Sequence, residues 1–380
     1  MSKFPIKRIR TLALVGQAGS GKTSLAEALL ARAGAIPAAG SVERGNTVCD
    51  YTPLEKSFKH SLKLAVASFE AQEHRVHLLD TPGYPDFLGH ALPALAAVET
   101  AAIVINAQNG IEMMTGRFMQ WAAKRGLDRL VIVNRIDAEN VDLPGLLEKI
   151  QQAFGKECLP LNLPAAGASK VSDCFFAPSG EADFSSVEEA HKKLVEQVVE
   201  VDEKLMEVYL EKGEVSPEAL HEPLERAMRE GHLVPVVFTS AKTGAGIGEL
   251  LDVIVKLLPN PAEGNPPAYL NLPAAGGEGT EIAALPDPGL HALAHVFKIE
   301  IDPYIGRLAV FRVHQGRITP GTQLFIGEGR KPVKAGHLYL LKGKTQVEVA
   351  EAVPGDICAI AKIDEIQFDH ILHDSASDAH

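Results

Sequence analysis

The stretch Gly16-Gln17-Ala18-Gly19-Ser20-Gly21-Lys22-Thr23 limits the possible folds more than any other: two glycines separated by four residues, then Lys, then a hydroxyl residue. Ahead of it, Thr11 to Val15 is an apolar run of strand length, and behind it Ser24 to Ala31 has helix-forming composition with its leucines on one side. A glycine-rich loop between strand and helix lets bare backbone N–H groups and the positive end of a helix dipole approach a polyphosphate. In that reading Lys22 reaches the β- and γ-phosphates as a point charge, Thr23 gives its hydroxyl to Mg²⁺, and Ser24 follows in the first turn of the helix. The competing reading is a glycine-rich turn before an ordinary helix. The full spacing in its strand and helix setting makes it the weaker one.

Further along, Leu62 to Val66 and Arg75 to Leu79 read as strands, the second running into Asp80-Thr81-Pro82-Gly83. An Asp at such a strand end can hold Mg²⁺ through water, and Gly83 can offer a bare N–H to a γ-phosphate. The long connection from Gly34 to Ser61 has no steady period and lies where it could fold over a bound nucleotide; a plain surface loop is the alternative. Ala102 to Ile105 and Leu130 to Val133 are near-continuous apolar strands separated by a helix over Glu112 to Arg125. Strands of that kind imply a doubly wound parallel sheet covered on both faces.

Two strand ends carry a further signal. Leu130 to Val133 runs into Asn134-Arg135-Ile136-Asp137, and Val234 to Phe238 runs into Thr239-Ser240-Ala241-Lys242. The Asp137 carboxylate can accept from the N1–H and 2-amino donors that guanine presents together and adenine lacks, a contact that discriminates strongly. Asn134 would tie this loop to the phosphate loop, and the backbone at Ser240 and Ala241 would donate to the guanine carbonyl. Each tetrapeptide is weak alone; the order and the strand ends give them weight.

About a hundred residues separate these two loops, against roughly 20 to 30 for one crossover helix, so something is inserted. The spacing predicts one long helix over Ser186 to Gly213, opened by a capping box of Ser185 and Glu188, and another opened by Ser216. The run from Cys158 to Pro178 is expected to add strands to this insert. A helix over Gly248 to Leu258 closes the sheet, and Pro259 to Pro267 announces a linker. From His295 onward, alternating segments punctuated by glycine read as a small antiparallel β-barrel. The expected organisation is an α/β nucleotide domain at 1–155 and 233–262, an α+β insert at 156–232, a linker at 263–290 and the barrel at 291–380.

With 46% hydrophobic and 23% charged residues the composition is that of a folded globular protein. A net charge of −12 argues against a nucleic-acid coat, so no DNA partner is expected, although local RNA contact stays open. No membrane span is expected, and Cys49, Cys158, Cys174 and Cys358, scattered without a CxxC pair, read as reduced thiols of a cytoplasmic monomer.

With the phosphate loop, Asp80 to Gly83, Asn134 to Asp137 and Ser240 to Lys242 in that order, the chain resembles translation-factor GTPases, specifically the elongation factor G family and its elongation factor G-like branch. Asp302-Pro303-Tyr304-Ile305-Gly306-Arg307 and Arg312-Val313-His314-Gln315-Gly316-Arg317 resemble the start of that family's second domain, a translation-type β-barrel. The resemblance implies GTP and GDP as ligands, Mg²⁺ as cofactor, GTP hydrolysis and a ribosome partner. In the effector loop Phe58-Lys59-His60-Ser61 replaces the family's Arg-Gly-Ile-Thr, which makes Ser61 the candidate hydroxyl for Mg²⁺ and γ-phosphate. Gly19 replaces an acidic residue, and Arg135 stands where Lys is usual. Tyr84 stands where the family has the His that orients the attacking water, so slow hydrolysis is implied. The family's later domains are not in this chain, which is expected not to translocate by itself. A GTP-binding regulatory module with little hydrolysis and a phosphate-loop ATPase are the alternatives.

Overall fold

All seven residues of Ile9–Val15 (β1) are buried, as a strand covered on both faces requires. The computed structural model describes residues 4–213, 215–271, 279–302 and 306–375. After β1 come α1 (Lys22–Arg32), α2 (Pro53–Phe58), β2 (Ala65–Ala71), β3 (His74–Asp80), α3 (Leu88–Ala91), β4 (Thr100–Asn106), α4 (Met113–Lys124), β5 (Asp128–Asn134) and α5 (Leu143–Phe154). Then follow β6 (Cys158–Pro160), β7 (Asn162–Ala165), β8 (Lys170–Asp173), α6 (Val187–Val199), α7 (Glu203–Lys212), α8 (Pro217–Arg229), β9 (Val234–Phe238) and α9 (Ile247–Lys256). The sheet runs β2-β3-β1-β4-β5-β9-β6. Pairing is parallel from β3 through β6, and β2 is antiparallel to β3 at one edge.

Helices cover both faces because their apolar residues recur on one side. In α4, Met114, Phe118, Met119 and Ala122 are buried at helical spacing, and in α9 Ile247, Leu250, Leu251 and Ile254 are. The helices α6 and α8 pack into the same hydrophobic core as the sheet, so among the described residues the inserted stretch has no separate centre.

Several local expectations are corrected. The long helix over Ser186 to Gly213 is two helices, because Asp202 caps the second by accepting from Leu205 N at 3.0 Å, and Arg226 of α8 holds the corner through the Val201 carbonyl. The cap of α6 is Ser186 and not Ser185: Ser186 Oγ accepts from Glu189 N at 3.3 Å, while Ser185 has φ 62°. Leu62 and Lys63 are outside the strand, since their N–H groups donate to Glu55 Oε1 and leave the ladder to begin at Ala65. Within Cys158 to Pro178, β6 extends the main sheet beside β9, and only β7 and β8 form a separate hairpin.

The remaining strands are β10 (Ala268–Asn271), β11 (Thr280–Ala283), β12 (Leu293–Asp302), β13 (Gly306–Gln315), β14 (Gln323–Ile326), β15 (Val333–Lys334), β16 (Leu338–Lys342), β17 (Thr345–Val349), β18 (Ile357–Ala361) and β19 (Ile371–His373). The span expected as linker thus carries a hairpin of β10 and β11. From β12 on, all pairings are antiparallel, around a second core of Val296, Phe311, Val313, Leu338 and Ile360 among others. Residues 272–278 of the expected linker, Pro303 to Ile305 of the barrel motif and 376–380 lie outside the described residues.

The two parts meet through buried charge. Arg312 of β13 pairs with Glu99, which precedes β4, and donates to the Ala97 carbonyl at 2.7 Å and to Thr11 Oγ1 at 3.1 Å. Arg75 of β3 pairs with Asp356 at 2.8 Å. The sheets also join, Lys342 of β16 pairing with Ala67 of β2 and Gly343 N donating to Val66 O at 2.9 Å. Among the described residues no helix is long and apolar enough to cross a membrane.

Candidate functional site

The loop from Gly16 to Gly21 leaves β1 and enters α1 through backbone conformations that only glycine adopts freely. Gly16 has φ +138°, and a methyl there would lie 2.5 Å from the Val104 carbonyl oxygen. Gly21 caps α1 at φ +91°, and a methyl there would strike the Asn134 amide at 2.4 Å. Lys22 folds back over the loop, donating to Gly16 O at 3.0 Å and Gln17 O at 2.9 Å. Burial lowers its ammonium to about 8, against the opposing pull of Asp80 and Asp50. Gln17 Oε1 accepts from Met114 N at 3.2 Å, tying the loop to α4.

Thr23 links three segments: its hydroxyl donates to Asp80 Oδ2 at 2.7 Å and lies 3.0 Å from Ser61 Oγ. The phosphate loop, the effector loop and the end of β3 therefore converge on one point. The Asp80-to-Gly83 turn sits directly on the phosphate loop, with Ala18 N donating to Gly83 O at 3.1 Å. A methyl on Gly83 would come within 2.5 Å of both Ala18 N and Lys22 Nζ, so this close approach requires glycine. It is the Gly83 carbonyl, not its N–H, that bonds to the loop.

Asp50 is a candidate site residue that motif reading missed. It is buried in the same cavity, and neither of its carboxylate oxygens, nor Asp80 Oδ1, makes a well-formed hydrogen bond. Burial raises Asp50 to about 6, with the Ser61 hydroxyl opposing. Burial, and then the Asp50 charge, raises Asp80 to about 7. Two carboxylates with unused oxygens beside two hydroxyls form an all-oxygen donor set of the kind a hard divalent cation such as Mg²⁺ takes, so the residues present fit that ion. Only a lone Asp in a loop marks this residue in the sequence, and that carries no spacing signal.

The second half of the site is held together by Asn134. Its Nδ2 donates to Ser20 O at 3.2 Å and its Oδ1 accepts from Ala241 N at 3.1 Å, so one side chain bridges the phosphate loop and the loop after β9. Ser240 Oγ donates to Asp137 Oδ1 at 2.6 Å, and the exposed Lys242 ammonium lies 3.9 Å from Asp137 Oδ2. Ser240 N donates to Ala245 O at 2.8 Å, and Ala241 N donates to Asn134 Oδ1 at 3.1 Å. Two adjoining cavities result. One of about 370 Å³ lies over Gly19, Gly21, Lys22, Thr23, Ser61, Gly83 and Tyr84. The other, about 740 Å³, is lined by Asn134, Asp137, Ala241 and Lys242, and Ser24 and Arg135 border both. A cationic, amide-rich pocket beside a pocket lined by the Asp137 carboxylate suits a polyphosphate joined to a base with adjacent donors.

Comparison with known proteins agrees with this geometry. Residues 7–260 match the elongation factor Tu GTP binding domain, and residues 291–371 match elongation factor G domain 2. An elongation factor G-like protein of Mycobacterium tuberculosis is 34% identical over 397 residues, covering 97% of this chain and 55% of that protein. Elongation factor G of Thermotoga maritima is 26% identical, with 93% of this chain and 53% of that protein covered. A crystal structure from Thermus thermophilus superposes with TM-score 0.83 at 34% identity, covering 97% of this chain and 54% of that one. The chain spans about half the length of these relatives. Phosphate loop, bridging Asn134 and the two matched domains together place the chain in the family of the elongation factor Tu GTP binding domain, in the elongation factor G-like arrangement with a second β domain.

Proposed function

We propose that the chain binds GTP and GDP and hydrolyses GTP in a Mg²⁺-dependent reaction coupled to ribosome docking, as a cytoplasmic monomer. The observation that carries this reading is the Asn134 bridge, which holds the phosphate loop and both base loops as one unit beside the Asp137 carboxylate. Gly16 to Ser24 cradle the phosphates, with Lys22 on the β and γ groups. Arg135 covers the base, and Asp137, Ser240, Ala241 and Lys242 build its pocket. Thr23, Ser61 and Asp80, with Asp50 behind them, hold Mg²⁺, which when bound neutralises phosphate charge. Residues 1–155 and 233–262 form the nucleotide domain around the insert at 156–232, and 291–380 the barrel. Asp137 favours guanine over adenine, which sets the ATPase alternative aside.

Hydrolysis is slow in the absence of a trigger, because Tyr84 brings a phenol and no imidazole to its position. The regulatory-module reading draws on the same residue, half-exposed at the cavity rim. Equilibrium titration with GTP, GDP and ATP, with and without Mg²⁺, tests binding; equal affinity for ATP and GTP would refute the guanine assignment. Single-turnover hydrolysis with and without ribosomes then separates enzyme from regulatory module.

A further inference from the structure

Attack on a γ-phosphate is accelerated mainly by placing the water and the charges correctly, so the site needs a group that accepts a hydrogen bond from that water. Among the described residues around the smaller cavity the single imidazole is His60, on the effector loop directly before Ser61. Lys59, at φ 56°, ends α2 in a left-handed turn and sends the next residue toward the cavity. Ser61, hydrogen-bonded to Thr23, then fixes the backbone there.

Three other rings lie near the imidazole. Its centroid is 4.8 Å from that of Tyr84, 6.1 Å from Phe87 and 5.9 Å from Phe58, the last in a stacked arrangement. Tyr84 therefore does more than occupy its position: it forms a wall against which an imidazole from another segment rests. The tautomer follows from the remaining contact. Nδ1 lies 3.3 Å from the Ser61 carbonyl oxygen, which can only accept, so the contact is favourable with the hydrogen on Nδ1. In the neutral ring Nε2 is then left as an acceptor. The other candidates are committed elsewhere: Glu43 is exposed and paired with Lys59 at 2.7 Å, and Asp50 and Asp80 belong to the oxygen cluster below Thr23.

Granting GTP hydrolysis at this site, we propose that His60 orients the attacking water through Nε2, and that Tyr84 positions the His60 ring for it. The bond that forms joins the water oxygen to the γ-phosphorus. The bond that breaks runs from that phosphorus to the β–γ bridging oxygen, whose electron pair stays on GDP, and both hydrogens of the water leave on the inorganic phosphate. His60 is regenerated unchanged. An imidazole carried by the effector loop also makes hydrolysis depend on that loop being closed, which suits a reaction that waits for a docking partner.

The test is single-turnover GTP hydrolysis, with and without ribosomes, by the parent, His60→Ala and His60→Gln, with GTP affinity measured in parallel. His60→Ala should be at least tenfold slower with affinity within about twofold of the parent. His60→Gln loses the ring but keeps an acceptor, and it should recover a measurable part of that rate. A rate for His60→Ala within twofold of the parent overturns the proposal, as does a slower rate matched by an equal loss of affinity. Equally slow Ala and Gln variants also overturn it, since the ring would then serve only as packing on Tyr84. A parent that binds GTP yet never hydrolyses it defeats the His60 assignment and leaves the binding reading standing; a parent that binds no GTP defeats the reading beneath it.

Discussion

Asp137 accepts from the Ser240 hydroxyl through one oxygen and turns the other toward Lys242 at the mouth of the larger cavity. Replacing it with Asn puts an N–H₂ group where one of two adjacent guanine donors needs an acceptor. Asp137→Asn is expected to weaken GTP relative to ATP by on the order of 1–3 kcal/mol, the cost of a buried donor left unpaired. Unchanged GTP preference in a competitive titration would mean that this loop does not read the base. The place of Asp137, just past the end of β5, was legible in the sequence. His60 and Asp50 were not, because their meaning lies in burial and in rings contributed by other segments.

Among the connections between helices and strands, the effector segment is an anchored structure and not a free loop. The buried Glu27 of α1 accepts from Gly40 N at 2.8 Å and from Val48 N at 2.6 Å. Farther on, Thr52 and Glu55 form a capping box that starts α2, and Glu55 also receives Leu62 N and Lys63 N. Removing the first anchor leaves two backbone donors without partners, each costing about 1–3 kcal/mol. Glu27→Ala should therefore lose on the order of 2–6 kcal/mol in urea unfolding and become open to proteolysis between Gly40 and Val48. A variant as stable and as protease-resistant as the parent would show that the loop is held by other means. Sequence pattern could not show this order, since the connection has no period and its partners sit in distant elements.

Across the full chain, the α/β part and the β domain are locked by charge that water does not reach. Arg312 and Glu99 are both almost fully buried, and Arg312 also satisfies Ala97 O and Thr11. Breaking one side of such a pair is worse than never having it, because the remaining charge is stranded. Arg312→Met should cost about 3–5 kcal/mol in denaturant unfolding, and Arg312→Met with Glu99→Gln should recover part of the loss. If the double variant is no better than the single one, stranded charge is not the cause.

The same interface sets an acid limit. Burial lowers His314 well below the ordinary imidazole value, with the Arg312 charge adding to it; burial also lowers His77, against the hydrogen bond and charge of Asp356. A histidine with a depressed folded pKa is protonated more readily when unfolded, so stability is retained above the unfolded value of about 6.5 and lost as pH falls below it. The slope is at most about 1.4 kcal/mol per pH unit for each group. His314→Phe keeps a ring against Tyr269 and removes one titrating site, so its Tm should fall less steeply than the parent's between pH 6.5 and 5. Parallel Tm curves for the two proteins over that range would show that His314 carries none of the acid sensitivity.

The phosphate loop, the strand ends that carry Asp80, Asn134 and Ser240, and the change to antiparallel strands after the proline-rich stretch were all written in the order of residues. Each of these is local: glycine spacing, apolar runs and turn chemistry act within a few residues, so they are readable without a fold. The break between α6 and α7, the crowding of Asp50 against Asp80, the seating of His60 on Tyr84 and the Arg312–Glu99 lock came into being only when the chain folded. A cap at Asp202 competes with a continuing helical period, and the Arg226 contact from α8 favours the break. A carboxylate or imidazole acquires its character from what surrounds it, and those neighbours come from segments tens to hundreds of residues away that only the folded sheet brings together.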